Sequence, residues 1–404
     1  MKSDVPKVLH RVCGEPIIQY VLNIAKAVGS LKNYIVLGHQ MDAVSEILPD
    51  GCMIVEQKKL LGTADAVQCA QKYFKNYRVD VLILCGDTPL LKKEIVQKLI
   101  QKHRRSQAAC TFLTAVVHHP EGYGRVIRDE KKQVGAIRED KDLEGYERDI
   151  AEINVGVYCF RSQELFQGLK NIQINPKKKE FYLTNIIELF FEKNLKIDTI
   201  ETEHPSDGFG VNTREDLAVA EAILRERILK NLMAEGVTII DPKTTYIDAG
   251  VKIGQDTVIR PFTVIEKNVQ IGSRCTIGPF ARIRPGTRIA NHVEVGNFTE
   301  VSRTKLGEQT LMKHFGFLGD AEVGSSVNIG AGVVTANFDG QQKNVTKILD
   351  RAFIGSDSIL VAPVKIGKRA VTGAGSVVTK GQVVADKSVV AGVPARVIEK
   401  RKLK

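Results

Sequence analysis

Two hydrophobic periods divide this chain. Up to about residue 212, blocks with helical spacing alternate with short continuous apolar runs. PIIQYVLNIAKAVG (16–29) has helical spacing, NYIVLG (33–38) is a strand, TADAVQCAQKYF (63–74) a helix, and VDVLILCGD (79–87) a buried strand that ends in a loop. Such alternation predicts an α/β domain over 1–212, whose ligands sit beyond the carboxyl ends of parallel strands, where Gly86 and Asp87 lie. The segment 213–236 reads as one linker helix. Thr213 can cap it, Glu215 and Asp216 stand in its first turn, apolar residues recur at Leu217, Ala220, Leu224 and Ile228, and Gly236 stops it.

From 237 to 404 the helical period gives way to a sixfold one. Ile253, Ile259, Ile265, Ile271, Ile277, Ile283, Ile289, Val295 and Val301 are evenly spaced; Val323 and Ile329, then Ile354, Leu360, Ile366, Thr372 and Val378, resume the series. Small or β-branched residues precede many of them by two positions, as at Thr257, Thr263, Val269, Cys275 and Ala281. This pattern predicts a parallel β-helix of hexapeptide repeats, three hexads to a triangular coil, with every sixth side chain pointing into a stacked interior. The register breaks at 302–317 and 336–353 are expected to be loops pushed outward, and both hold polar residues able to do chemistry.

Length and composition narrow the field. At 404 residues the chain exceeds one ordinary core, and its balance of 43% hydrophobic and 26% charged residues is that of a globular protein. No uncharged apolar run reaches the length of a membrane span, and no apolar stretch of signal-peptide length follows the N-terminus, so a cytoplasmic location is expected. Cysteines at 13, 52, 69, 85, 110, 159 and 275 form no Cys-x-x-Cys pair and read as free thiols. The net charge of +11 comes without any Trp. A basic surface without aromatic platforms favours small phosphorylated ligands over nucleic acid.

Seven segments carry a resemblance: KVLHRVCGEPII (7–18), LCGDTPLL (84–91), EGYGRV (121–126), AIREDKD (136–142), AEINVGVY (151–158), EFYLTNI (180–186) and GVNTRED (210–216). Together they resemble the sugar-1-phosphate nucleotidylyltransferases. With the hexapeptide repeats behind them, the whole chain resembles the bacterial bifunctional N-acetylglucosamine-1-phosphate uridylyltransferases and glucosamine-1-phosphate acetyltransferases. The resemblance implies a Rossmann-like nucleotidyltransferase followed by a left-handed parallel β-helix. It implies Mg²⁺ as cofactor, UTP and acetyl-CoA as co-substrates, sugar phosphates as substrates, and a homotrimer.

For the first domain the resemblance places Mg²⁺ on Asp87 and Asn212, hard oxygen donors of the kind this ion takes beside water and phosphate. Lys7 would lie near the phosphates, Gln57, Gly62 and Thr63 at the uracil, and Gly124, Glu139, Asn154 and Thr184 at the sugar. The family's L-A-A-G-x-G-T-R loop and the strand before it have no counterpart ahead of Met1. The first strand is therefore expected to be missing, with uridylyl transfer impaired, and a start codon placed too far downstream is the favoured reason.

For the second domain it implies His314 as general base of acetyl transfer. Arg284, Ser302, Phe317, Asn328, Asn337 and Lys343 would line the acceptor pocket, and Ala331, Asn337, Phe338, Ser356 and Ala374 the acetyl-CoA groove. Three positions depart from the family pattern: Ser302 replaces a cation, Phe317 a tyrosine, and Gly392 an arginine at the coenzyme. A single-activity nucleotidylyltransferase with a trimerising β-helix, and a non-catalytic scaffold, remain as alternative readings.

Overall fold

The computed structural model describes residues 1–38, 40–74 and 78–398. The chain forms two compact units, Met1–Glu221 and Ala222–Lys404. The division falls inside the helix Arg214–Ala234 rather than before it. Its first turns pack on the first unit, where Ala220 is buried and the Glu221 carboxylate accepts a hydrogen bond from the Cys13 amide at 2.6 Å. Thr213 and Asp216 cap the helix reciprocally. Asp216 accepts from the Asn212 and Thr213 amides at 2.9 and 2.8 Å, and its own amide donates to the Thr213 hydroxyl at 3.0 Å. Of the predicted apolar positions, Ala220 and Leu224 are buried, and Ile228 packs with Leu229 and Leu232 into the β-helix core that includes Val237, Ile239 and Ile247.

In the first unit a mixed sheet holds the core. Glu152–Arg161 is its longest strand and pairs antiparallel with both Cys110–Val116 and Asp80–Ile83. Ile197–Glu201 adds parallel to Cys110–Val116. Arg125–Arg128 pairs antiparallel with Glu152–Arg161 and with Val134–Arg138, so two strands, Glu152–Arg161 and Val134–Arg138, run against the direction of the rest. Asp80–Ile83 is half-buried rather than buried, because among the described residues it pairs along one edge only. Asn33–Leu37 and Cys52–Glu56 form a separate parallel pair. The helix predicted over 63–74 runs from Thr63 to Cys69 and continues as a 3₁₀ turn, Gln71–Tyr73. All seven cysteines are free.

The second unit is a left-handed parallel β-helix. Three sheets of ten, eight and eight strands make three faces, I through Val258–Ile259, II through Val264–Ile265 and III through Gln270–Ile271; strands pair in parallel with the one a full coil later, except that Val389–Ala391 ends face I by pairing antiparallel with Arg396–Val397. Ile259, Ile265, Ile277, Ile283, Val295 and Val301 are fully buried in one continuous core with Ile354, Leu360, Ile366 and Val378. Most corners turn through one left-handed residue, and most of these carry a side chain: Asp256, Phe262, Asn268, Arg274 and Phe280 all have positive φ. Each such corner costs about 1–2 kcal/mol, against roughly 1.5–3 kcal/mol for each aliphatic side chain the coil buries. Burial wins, and the corners are held by the stack rather than by their own preference.

The first expected loop, 302–317, does not exist as a loop. The coil runs through it as Thr299–Ser302, Lys305–Leu306, Leu311–Met312 and Gly316–Gly319. The period is lost in sequence because the steps from Val301 to Leu306 and from Leu318 to Val323 are one residue short, at the tight corners of Arg303 and Asp320. The second break is a true excursion over 337–345, closed by a bridge between Phe338 and Lys343, after which Thr346–Ile348 rejoins face III.

Candidate functional site

In the first unit, three segments converge on one nitrogen. The Lys7 ammonium donates to Asp87 Oδ2 at 2.5 Å and to Asn212 Oδ1 at 2.9 Å. Asp87 follows the strand Asp80–Ile83, and its carbonyl accepts from the Val211 amide at 3.0 Å, tying its loop to that of Asn212. Two oxygens aimed at one cationic point form a donor pair that fits a hard divalent ion completed by water and phosphate. Among the described residues, no group of three or more His, Cys, Asp or Glu side chains could hold a metal.

A second cluster stands beside it. Thr184 donates to Glu139 at 2.7 Å, and the Asn154 amide donates to the Gly124 carbonyl at 2.8 Å. A methyl group on Gly124 would meet Ile137 at 3.1 Å and Glu139 at 3.8 Å. Burial pushes the Glu139 carboxyl above its ordinary value, with Asp142 and Asp140 adding to the rise and the Thr184 hydroxyl opposing it. The structure thus brings Gly124, Glu139, Asn154 and Thr184 together. Gly156 joins this cluster to the Asp87 loop, its carbonyl 3.5 Å from Cys85 Sγ.

Gln57, Gly62 and Thr63 form a third group. Gln57 donates to the Gly62 carbonyl at 3.1 Å and to Asp65 at 2.8 Å, while Thr63 accepts from the Leu183 amide at 2.9 Å. Gly62 has a structural requirement beyond any approach of a base: φ is +102°, and a Cβ would lie 2.6 Å from the Phe181 carbonyl oxygen. A cavity of about 520 Å³ is lined by Glu139 together with Asp142, Glu147 and Glu188. It shares only Glu139 with the predicted residues.

In the β-helix the predicted residues separate onto two edges. The edge between faces I and II carries His314, Ala331, Ser356, Ala374 and Gly392, each two residues after a face I inward position (Met312, Ile329, Ile354, Thr372 and Val390). Backbone bonds knit these rungs: Gly332 to Phe315 at 2.8 Å, Asp357 to Ala331 at 2.7 Å and Gly375 to Ser356 at 2.8 Å. An exposed imidazole therefore heads a column of small residues. Asn328 lies nearby, on the outer side of face I.

The edge between faces II and III gathers the others. Arg284, Ser302 and Gly319 occupy successive rungs, and a methyl group on Gly319 would strike both the Phe317 ring at 2.6 Å and the Asn337 amide at 2.7 Å. Arg284 donates to Glu300 at 2.7 Å, with its Nε buried. Ser302 is fully buried, and its hydroxyl accepts from Arg303 at 2.8 Å. Asn337 donates to Asp320, and Phe338 and Lys343 pair across the excursion. Asp339 pins that excursion, accepting from the Gln342 amide at 2.9 Å and from Lys380 at 3.1 Å.

Sequence reasoning passed over Arg303, Asp320 and Asp339. The available signal was the lone Arg directly after Ser302, where a cation was wanted.

The nucleotidyl transferase family model matches residues 2–204. The bacterial transferase hexapeptide model (six repeats) matches 250–285 and 268–303, and the hexapeptide repeat of succinyl-transferase matches 345–380. Proteins named bifunctional protein GlmU align along nearly the whole chain. That of Pelotomaculum thermopropionicum is 40% identical, covering 90% of this chain and 87% of that protein. Those of Shouchella clausii and Geobacillus sp. (strain WCH70) are 40% and 42% identical, each over 94% of this chain and over 91% and 90% of their own lengths. A crystal structure of UDP-glucose pyrophosphorylase complexed with UDP-glucose superposes with a TM-score of 0.47 and 13% identity over 55% of this chain and 91% of that one, too weak a likeness to add to the assignment. A nucleotidyl transferase unit joined to hexapeptide coils, with relatives of this identity over both, makes the chain a member of the bifunctional GlmU family.

Proposed function

We propose that this chain makes UDP-N-acetylglucosamine in two steps, acetylating glucosamine-1-phosphate on the β-helix and uridylylating N-acetylglucosamine-1-phosphate on the α/β unit. The observation that carries the reading is that one GlmU-family chain holds two separate sets of groups, a cation cradle at Asp87 and Asn212 and a small-residue groove headed by His314.

In the first step the sugar amine attacks the thioester carbonyl of acetyl-CoA. His314 takes the proton lost by the nitrogen, the C–N bond forms, the C–S bond breaks, and CoA leaves as its thiol once protonated. Ala331, Ser356 and Ala374 leave room along the edge for the pantetheine arm, while Arg284 and Lys343 offer cations to the sugar phosphate. In the second step a sugar-phosphate oxygen attacks the α-phosphorus of UTP and pyrophosphate leaves. Asp87 and Asn212 would hold Mg²⁺, which when bound would supply positive charge to the phosphate oxygens. Lys7 faces the same oxygens, Gln57 and Thr63 flank the uracil, and Glu139, Asn154 and Thr184 orient the sugar through directed hydrogen bonds.

The acetyl-transfer residues lie on two edges of face II, so the site closes only when the I/II edge of one copy meets the II/III edge of another. The faces themselves favour such pairing. Face I presents Val258, Leu311, Phe353 and Val371 outward and face II Tyr246, Val264, Val334 and Ile359, whereas face III presents Lys252, Arg288, Lys305, Lys347 and Lys365. A homotrimer pairing faces I and II around a threefold axis, with face III in solvent, satisfies both requirements. Free thiols at all seven cysteines suit a reducing cytoplasm. Among the described residues, no helix is long and apolar enough to cross a membrane.

The test follows CoA release by the purified chain from acetyl-CoA and glucosamine-1-phosphate and, in a separate assay, pyrophosphate release from UTP, Mg²⁺ and N-acetylglucosamine-1-phosphate. Release of both supports the two-step reading, pyrophosphate alone would leave a single-activity enzyme, and neither would leave a scaffold.

A further inference from the structure

The loops that carry Asp87 and Asn212 are fixed by their surroundings. The Asn212 backbone is locked by Asp216 and Thr213 at the helix start, and the Val211 amide bonds the Asp87 carbonyl. The neighbouring turn is held by the Thr88 hydroxyl on the Cys85 carbonyl at 2.9 Å. Lys7 is different in kind. Its nitrogen reaches the two oxygens on a four-carbon stem from a short 3₁₀ turn, and its side chain is 35% exposed. The cradle is rigid and its occupant is movable.

We propose that Lys7 is the resident counter-ion of the metal site: its ammonium fills the position between Asp87 and Asn212 that a divalent cation takes, and it is expelled when that cation enters. The proposal rests on the reading of Asp87 and Asn212 as metal ligands. An ammonium at 2.5 and 2.9 Å from both oxygens leaves no space for an ion that needs each of them at about 2.0–2.1 Å. The two cations also repel at that separation, so occupancy is exclusive. An expelled ammonium carries three donors and no acceptor, and the anions it can reach are the phosphates of a bound nucleotide. Metal entry thereby delivers Lys7 to the substrate, and phosphate binding, by holding Lys7 away, favours metal entry in return. Without metal, Lys7 keeps the Asp87 carboxylate paired.

The test uses the full chain without nucleotide and Mn²⁺ as probe, with free Mn²⁺ read by electron paramagnetic resonance. Lys7→Met is expected to bind Mn²⁺ roughly 2- to 10-fold more tightly than the unsubstituted chain, the range available from one half-exposed charge-assisted pair. Equal or weaker binding overturns the proposal. Asp87→Ala separates the two layers. If it binds Mn²⁺ as well as the unsubstituted chain does, the metal reading falls and the Lys7 proposal with it. If it loses binding while Lys7→Met gains nothing, the metal site stands and only the Lys7 proposal fails. A second measurement needs no substitution: Mg²⁺ should speed reductive methylation of Lys7, read by mass spectrometry, and protection or no change counts against displacement.

Discussion

Arg303 and Asp320 stand on successive rungs of one prism edge, and the guanidinium forks onto the carboxylate at 2.6 and 2.8 Å. Asp320 also holds Asn337, at the root of the excursion that carries Phe338 and Lys343. Arg303 therefore acts through Asp320 as a positioning residue for that loop. Asp320→Ala should weaken acetyl transfer mainly through KM for acetyl-CoA and acceptor, while pyrophosphate release stays unchanged. Asp320→Glu should restore part of the loss. Steady-state CoA release against both substrates checks this, and a pure kcat effect would count against a positioning role.

The same pair sets a pH dependence. The hydrogen bonds from Arg303 hold the Asp320 carboxyl below its ordinary value, with Asn337 and the charges of Arg303 and Lys343 helping against desolvation. A depressed folded value means that the stabilisation is fully present above the unfolded carboxyl pKa of about 3.9 and is lost as pH falls through the folded value. With Arg303 more than a third exposed, solvent screening limits the pair to about 1 kcal/mol. Denaturant unfolding between pH 2 and 6 should show a difference between Asp320→Asn and the parent that shrinks as pH falls. Glu322 and Asp339 titrate low in both proteins and cancel in that difference.

Acetylation should depend on His314 as its proton acceptor. His314→Ala is expected to lower CoA release by about 10²–10⁴-fold, the usual effect of removing a positioned base. The side chain is exposed, so the thermal midpoint should not move. Pyrophosphate release from UTP and added N-acetylglucosamine-1-phosphate should be unaffected in the same variant, and loss of both activities would place His314 elsewhere in the scheme.

Two inactive variants should repair each other. His314→Ala spoils the I/II edge and leaves II/III intact, while Arg284→Ala does the reverse. Random co-assembly in a trimer would rebuild about a quarter of the composite sites. Co-expression with subunits of two tags and recovery of acetylation measures this. No recovery in confirmed mixed trimers would mean that each chain holds a whole site.

Gly62→Ala should destabilise the first unit. The added methyl would meet the Phe181 carbonyl oxygen at 2.6 Å, on a backbone with φ of +102°. A loss of about 1–3 kcal/mol is expected, read from the unfolding midpoint of the first transition.

What the sequence could reveal follows from how locally each feature is written. The β-helix core was legible from Ile253 to Val301 because each inward position is one residue at a fixed interval, with no long-range information needed. The same rule misread 302–317, where two corners shortened by one residue at Arg303 and Asp320 imitate an insertion. Lys7, Asp87 and Asn212 have no common spacing. Their convergence depends on tertiary closure, and only a resemblance could pair them. Leu229 lies beside the run of Leu217, Ala220, Leu224 and Ile228, and its burial comes from the β-helix core that it joins. The need for glycine at 62 was not legible, because the Phe181 carbonyl that a side chain there would strike lies far along the chain.

The column from His314 through Ala331, Ser356 and Ala374 to Gly392 is graduated. Each rung advances it by about 4.8 Å, so the four steps span roughly 19 Å. Because every coil touches only its neighbours, one whole coil could be spliced in or out below His314 and the remainder would still stack. The edge is thus a molecular ruler. The reach from base to groove end can change only in whole graduations, and a thioester carrier longer or shorter than a graduation allows would set its carbonyl out of step with the imidazole.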